Sequence, residues 1–217
     1  MSQKNKRPYE GLFITIEGGD GCGKSSLTTS LAHELEKRGY SVLRTREPGG
    51  TPLSEHLRNL ILDLDSYKVS KRAEMLLFLT ARVQHIEELI LPALKEGKIV
   101  LCERFNDSTI AYQACARDLG VEDVEKLCHL VCDGIEPDVT MLLDLDPKIG
   151  LMRVPGKKDR LESEKLQFHQ QVRQGYLHLA DKYPERITLI DATPDQENVL
   201  KSALDALLPN LPNRSNG

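Results

Sequence analysis

The chain has 217 residues, 40% of them apolar and 29% charged, which suits one globular domain and excludes disordered and collagen-like polymers. Its 29 Lys and Arg against 33 Asp and Glu give a formal charge of −4, so neither nucleic acid nor a membrane is expected as a partner, and positive charge must act locally. No run approaches the roughly 20 apolar residues of a membrane span.

Residues 1–10 are polar and read as a flexible N-terminal extension, without the apolar stretch of a secretory signal. Leu12 to Glu17 is an apolar run that ends at glycines, the pattern of a strand buried on both faces. From Lys24 the period changes: Leu27, Leu31 and Leu35 recur every fourth residue, and Gly39 stands at a helix C-terminus. Residues 41–45 follow as a second strand, and Pro48 to Pro52 form a loop. Helices are expected over 53–63 and 71–95, the second capped by Ser70. Strands over 98–102 and 139–144 enclose two helices, 107–118 and 122–132. A long helix over 161–182, a fifth strand over 187–190 and a helix over 195–207 complete the pattern. Residues 208–217 read as a flexible tail. Alternating strands and helices with no linker predict one α/β domain over 11–207, a doubly wound five-stranded parallel sheet with helices on both faces.

The five cysteines, at 22, 102, 115, 128 and 132, contain no C-x-x-C pair. Buried reduced thiols and a reducing cytoplasm are the simplest reading.

Gly18-Gly19-Asp20-Gly21-Cys22-Gly23-Lys24-Ser25 satisfies G-x-x-x-x-G-K-S/T directly between an apolar strand and an amphipathic helix. Glycines let successive backbone N–H groups, those up to Ser26 included, converge on one point, and the helix adds the positive end of its dipole. Lys24 supplies a mobile charge for the outer phosphates, and the Ser25 hydroxyl can complete a Mg²⁺ shell. This is a P-loop NTPase-type nucleotide cradle. Arginines at 46, 82, 104, 117, 153 and 160 favour a second, phosphorylated substrate, because guanidinium groups grip phosphate oxygens in pairs. Arg46 and Arg104 stand just past strand ends, where open α/β sheets bind ligands.

Thr45-Arg46-Glu47-Pro48-Gly49-Gly50-Thr51 resembles the signature loop of thymidylate kinases. Phe78 to Arg82 with His85, then Glu103-Arg104-Phe105, Ala111-Tyr112-Gln113 and Ile190 to Thr193, follow in that family's order and spacing. The resemblance spans about residues 11–207. It implies Mg²⁺-dependent transfer of the ATP γ-phosphoryl group to dTMP, giving dTDP and ADP for dTTP synthesis in the cytoplasm. It also implies a homodimer, with helices such as 71–95 and 107–118 at the interface. Carried over residue by residue, it has Phe78 stacking on thymine and Arg82 donating to an exocyclic oxygen. Thr109, Tyr112 and Gln113 line the nucleoside pocket, the tyrosine beside the sugar 2′ carbon. Asp20 reaches the acceptor's sugar and phosphate, Arg46 and Arg104 hold that phosphate, and Asp191, Ala192 and Thr193 contact adenine. Ser25 and Glu103, the latter where the family more often has aspartate, serve Mg²⁺. The P-loop carries no arginine, so the family's alternative applies, a catalytic arginine in a mobile lid over about 150–162. Arg153 is the first choice and Arg160 the second.

Transfer to a phosphate oxygen requires alignment, charge neutralisation and exclusion of water rather than a general base. Together with Lys24, Asp20 and Arg104, the lid arginines complete the expected catalytic set. Two alternatives remain from sequence. A kinase for another deoxynucleotide or a deoxynucleoside is one; for the nucleoside, Glu17 or Glu103 would serve as base. The other is a nucleotide-dependent switch with no small acceptor.

Overall fold

The structure, a computed structural model, describes residues 9–63, 68–154, 156 and 158–212. Five strands form one parallel sheet in the order β2-β3-β1-β4-β5: β1 Leu12–Gly18, β2 Val42–Arg46, β3 Ile99–Glu103, β4 Val139–Asp144 and β5 Ile187–Asp191. All seven residues of β1 are buried, which is why its apolar run shows no alternation. It pairs with β3 from Leu12 opposite Ile99 and with β4 from Ile14 opposite Val139. The chain leaves β1 first toward β2 on one side and later toward β4 on the other. The turn after β1 is therefore a topological switch point, where such sheets place their ligands.

One face is covered by α1 (Lys24–Lys37) and α9 (Gln196–Leu207), whose Leu27, Leu31, Leu35, Val199 and Ala203 pack on Ile14, Ile16, Leu101 and Met141. The other face carries α2 (Pro52–Leu62), α3 (Lys71–His85), α4 (Leu91–Lys95), α5 (Asn106–Thr109), α6 (Val121–Cys132) and α8 (Leu166–Lys182). The expected helix 71–95 is continuous, but Ile86–Ile90 winds as a π-helix between α3 and α4. Pro92 lacks the N–H that an α-helical register would use, and the wider turn absorbs that loss. The expected helix 107–118 is likewise α-helical only over α5, then π-helical over Ile110–Ala116.

Two boundaries differ from the sequence reading. A short helix α7, Pro147–Arg153, follows β4, and the helix expected from 161 starts at Leu166. In the latter case the Asp159 side chain accepts the backbone N–H groups of Leu161 and Glu162, each at 2.8 Å. That side-chain turn occupies residues that would otherwise begin the helix. Of the expected tail, Leu208–Asn210 forms a 3₁₀ turn and Leu211 packs against the core; residues 213–217, like 1–8 of the N-terminal extension, lie outside the described residues. All five cysteines are unpaired, four of them buried. Among the described residues no helix is long and apolar enough to cross a membrane.

Candidate active site

The P-loop closes tightly on α7. A Cβ on Gly21, where φ is +71, would lie 1.9 Å from the Gly150 carbonyl oxygen, and one on Gly150 would meet the Asp20 carbonyl at 2.2 Å. Both positions need glycine because two backbones touch there. Lys24 crosses the cradle, its Nζ donating to the carbonyls of Gly18 at 3.2 Å and Gly19 at 2.6 Å. Ser25 Oγ donates to Glu103 Oε2 at 2.8 Å, which sets a hydroxyl and a carboxylate side by side at the mouth of the loop.

Two cavities open from this loop, and Gly21, Lys24 and Ser25 line both. The first, about 360 Å³, is lined by all eight residues assigned to the acceptor: Asp20, Arg46, Phe78, Arg82, Arg104, Thr109, Tyr112 and Gln113. Phe78 is only partly buried, with its remaining surface on the cavity wall rather than wholly in the core. Arg82 is 2% exposed, and its Nε donates to Glu47 Oε2 at 2.7 Å. Its Nη1 donates to Asn106 Oδ1 and Thr109 Oγ1, both at 2.9 Å. The other Glu47 oxygen faces His85 Nδ1 at 3.1 Å, and His85 Nε2 meets Thr45 Oγ1 at 2.6 Å. The signature loop is thus fastened to α3 through a buried acid. Gln113 Nε2 is held by Glu74 Oε1 at 3.0 Å.

Arg104 adopts a positive φ of 66, an uncommon conformation for a side-chain-bearing residue. That turn aims its guanidinium back across β1. Nη2 pairs with Asp20 Oδ1, while Nη1 donates to Gly18 O at 3.1 Å, Tyr176 Oη at 3.2 Å and Ser108 Oγ at 3.4 Å. Tyr112 donates its hydroxyl to the second Asp20 oxygen at 3.0 Å, and the Arg104 guanidinium lies over its ring. Although burial alone would raise the Asp20 carboxyl, Arg104 and Lys24 outweigh it and hold the group below the usual carboxylate range. Arg46 is half-exposed and paired with Glu55 at 3.1 Å.

The second cavity, about 770 Å³, is lined by P-loop residues Gly21 to Ser26, by Arg153 and by Ala192 to Gln196 without Thr193. Ala192 therefore faces it, whereas Asp191 and Thr193 are not among its lining residues and bond to one another, Thr193 Oγ1 to Asp191 Oδ1 at 2.8 Å. Arg153, at the end of α7, reaches the Ala192 carbonyl at 3.4 Å.

Arg160, the second choice for a lid arginine, lines neither cavity. Its Nη1 pairs with Glu74 Oε2 at 2.7 Å and its Nε donates to Ile61 O at 2.8 Å. A buried carboxylate and a free helix-end carbonyl outcompete the cradle for its donors. Of the rest of the lid stretch, Pro155 and Lys157 lie outside the described residues.

Sequence reasoning missed Glu47, Arg58, Ser108, Asp159, Leu161 and Glu162, which also line the acceptor cavity. It also missed Tyr176 and His169. His169 is 4% exposed, with Nδ1 3.6 Å from Asp20 Oδ2. For α7 a signal did exist, since Asp146 before Pro147 is a helix start, and the Asp146 side chain caps Lys148 N at 2.8 Å. The others depend on partners dozens of residues away.

Comparison with known proteins agrees with this geometry. The family model described as thymidylate kinase matches residues 16–203. The thymidylate kinase of Protochlamydia amoebophila is 52% identical over 209 residues, covering 92% of this chain and 93% of that protein. That of Halalkalibacterium halodurans is 44% identical, covering 90% and 95%. A crystal structure of thymidylate kinase from Ehrlichia chaffeensis superposes with a TM-score of 0.76 at 32% identity, over 91% of this chain and 98% of that one. On a family match over residues 16–203 and relatives this similar over nine-tenths of the chain, the chain belongs to the thymidylate kinase family.

Proposed function

We propose that the chain transfers the γ-phosphoryl group of ATP to dTMP, with ATP in the larger cavity and dTMP in the smaller. The observation that carries this reading is the shared wall: Gly21, Lys24 and Ser25 line both cavities, so two phosphate chains entering from opposite sides meet at one loop. Lys24 and the P-loop N–H groups neutralise the donor phosphates, and Arg104 with Arg46 holds the acceptor phosphate in line. Asp20 fixes Arg104 and, with Tyr112, borders the sugar. Phe78 offers a face to the base, and Arg82, held rigid by Glu47, Asn106 and Thr109, offers directional donors to an exocyclic oxygen. Arg153, the arginine of the donor cavity, carries the charge-stabilising role on that side.

The Ser25 hydroxyl and Glu103 carboxylate would hold Mg²⁺. Among the described residues no three His, Cys, Asp or Glu side chains cluster as a cage, which fits an ion that takes few protein ligands and completes its shell with water and phosphate. When bound, the ion supplies charge neutralisation between the phosphates. The acceptor oxygen is already anionic, so no residue has to remove a proton. A deoxynucleoside kinase would need such a base, and both sequence candidates are engaged. Glu17 is fully buried with three donors on its oxygens, and Glu103 is bonded to Ser25.

A homodimer is part of the proposal, supported by the exposed leucines 53, 60 and 76 on α2 and α3; light scattering at micromolar concentration tests it. The function itself is tested by coupled ADP release with ATP, Mg²⁺ and each of dTMP, dUMP, dCMP, dGMP and thymidine. dTMP is expected to give the highest kcat/KM and thymidine no turnover. Equal turnover of dTMP and thymidine would overturn the assignment.

A further inference from the structure

Glu17 is the most deeply buried carboxylate beside the site, yet it lines neither cavity. It is the next-to-last residue of β1, immediately before the P-loop. Its Oε1 accepts the Phe105 backbone N–H at 2.6 Å. Its Oε2 accepts the hydroxyls of Ser108 at 2.6 Å and Tyr176 at 3.0 Å. Those two hydroxyl oxygens are the ones that accept from Arg104 Nη1.

The proton count of this chain is directional. A hydroxyl has one proton, and if its oxygen accepts from a guanidinium the proton must be given elsewhere. Here both hydroxyls lie within reach of one carboxylate, and their oxygens also stand 2.7 Å apart, so one can give its proton to the other while that other gives its own to Glu17. The third bond, from Phe105 N–H, clamps the residue following Arg104 and so fixes the positive-φ turn that points the guanidinium at the cavity. Burying an acid here is unfavourable: burial, with the like charge of Asp107 added, pushes the Glu17 carboxyl up to about 7. Packing alone would be served more cheaply by a neutral side chain.

We propose that Glu17 is a positioning residue for the acceptor site, acting through the Ser108 and Tyr176 hydroxyls to aim Arg104 at the acceptor's phosphate. This rests on the assignment of the smaller cavity to a nucleoside monophosphate. Glu17 acts two hydrogen bonds away from Arg104, on the acceptor side alone.

The test is steady-state kinetics with each substrate varied in turn. Glu17→Gln places an amide where a carboxylate accepted from the linked hydroxyl pair; one of its two termini can only donate. At pH 8, where the Glu17 carboxyl has released its proton, KM for dTMP is expected to rise about 10- to 100-fold, the loss of charge-assisted hydrogen bonds, with KM for ATP changed less than threefold. The pair Ser108→Ala/Tyr176→Phe removes the relay while leaving Glu17 its Phe105 bond, and is expected to raise KM for dTMP similarly. Adding Glu17→Gln to that pair should then cost less than a further threefold, because members of one network do not add. An unchanged KM for dTMP in Glu17→Gln overturns the proposal, as do equal increases for both substrates or fully multiplicative effects. Should Glu17→Gln fail to fold, the hydroxyl pair decides alone: an unaltered KM for dTMP rules the relay out. Wild-type turnover in the same series separates the two readings. A wild type active on dTMP with insensitive variants overturns the role of Glu17 only, whereas a wild type inactive on dTMP but able to bind ATP overturns the acceptor assignment and the role together.

Discussion

Around the acceptor cavity the charged side chains are tied to one another; around the donor cavity the cations rest mainly on backbone carbonyls. On the acceptor side Arg82 is locked to Glu47, Arg104 to Asp20 and Arg46 to Glu55, and Glu74 behind Gln113 gathers Arg117 and Arg160. On the donor side the lining cations among the described residues are Lys24 and Arg153, and Arg153 rests on one carbonyl at 3.4 Å. A small nucleotide read by its base needs donors fixed before it arrives, because ordering them afterwards costs affinity. A triphosphate read mainly by backbone N–H groups does not, and a loosely held arginine is free to follow charge as it shifts during transfer.

The contrast breaks most sharply at Arg153. Arg153→Ala is expected to lower kcat by about 10³-fold or more, the range for a transition-state arginine in phosphoryl transfer, with KM for ATP within threefold. The KM-against-kcat split checks it. A raised KM for ATP with kcat intact would put the side chain against the adenine instead, beside Ala192.

On the acceptor side the largest effect should fall on stability. Glu47→Gln leaves Arg82 at 2% exposure without its anionic partner. Breaking a buried pair in this way costs about 3–5 kcal/mol, and at this chain length lowers Tm by about 10 °C. Calorimetry checks it, and a loss below about 1 kcal/mol would mean that the loop is not held by this acid.

These two sites also show what the sequence could and could not reveal. The P-loop was legible because its eight residues are contiguous and its chemistry is local. All five strands fall within a residue or two of expectation; β1, β3 and β4 are buried almost throughout and read as largely apolar runs, whereas the edge strands β2 and β5 are only partly buried and were marked by the turns around them. Glu47 sits in a segment that reads correctly as a loop, yet its partner Arg82 is 35 positions away and nothing local marks the carboxylate as buried. Helix α7 has seven residues, too few for an apolar period to repeat, although Asp146-Pro147 announced its start. Arg160 looked available because it lies in a basic stretch; its partners, at 61 and 74, come from other helices.

A smaller effect concerns pH. Above its ordinary value of 4.5, an unfolded Glu17 has released its proton, while the folded carboxyl holds one up to about 7. Folding stability therefore falls as pH rises between those values and levels off above. Facing the group are Asp107 on α5, Ser108, Arg104 and Cys102 at the end of β3, Tyr176 on α8, and Arg186 before β5, itself paired with Asp107. Asp20 and Glu74, with depressed values, act in a separate window below about pH 4. Relative to Glu17→Gln, the wild type is expected to lose on the order of 1–3 kcal/mol between pH 5 and 8. Denaturant titrations of both chains at several pH values check it, and parallel curves would show that Glu17 does not titrate there.

The smallest effect is expected at Arg160, and it sharpens the comparison from the other direction. If the donor side relies on one arginine, removing a second basic residue from the lid stretch should leave catalysis nearly intact. Arg160→Ala still loses something, because Glu74 is 1% exposed and gives up one of its two arginines. Arg117 remains on both Glu74 oxygens, at 3.2 Å each, so the carboxylate is not left unpaired, and Arg160 Nη2 had no hydrogen-bond partner among the described residues to lose. The expected cost is about 1–2 kcal/mol, a fall in Tm of about 2–8 °C, with kcat within tenfold of wild type. A loss of 10³-fold in kcat at unchanged Tm would mean that Arg160 leaves Glu74 during turnover, and that the donor side recruits its charge from the acceptor wall.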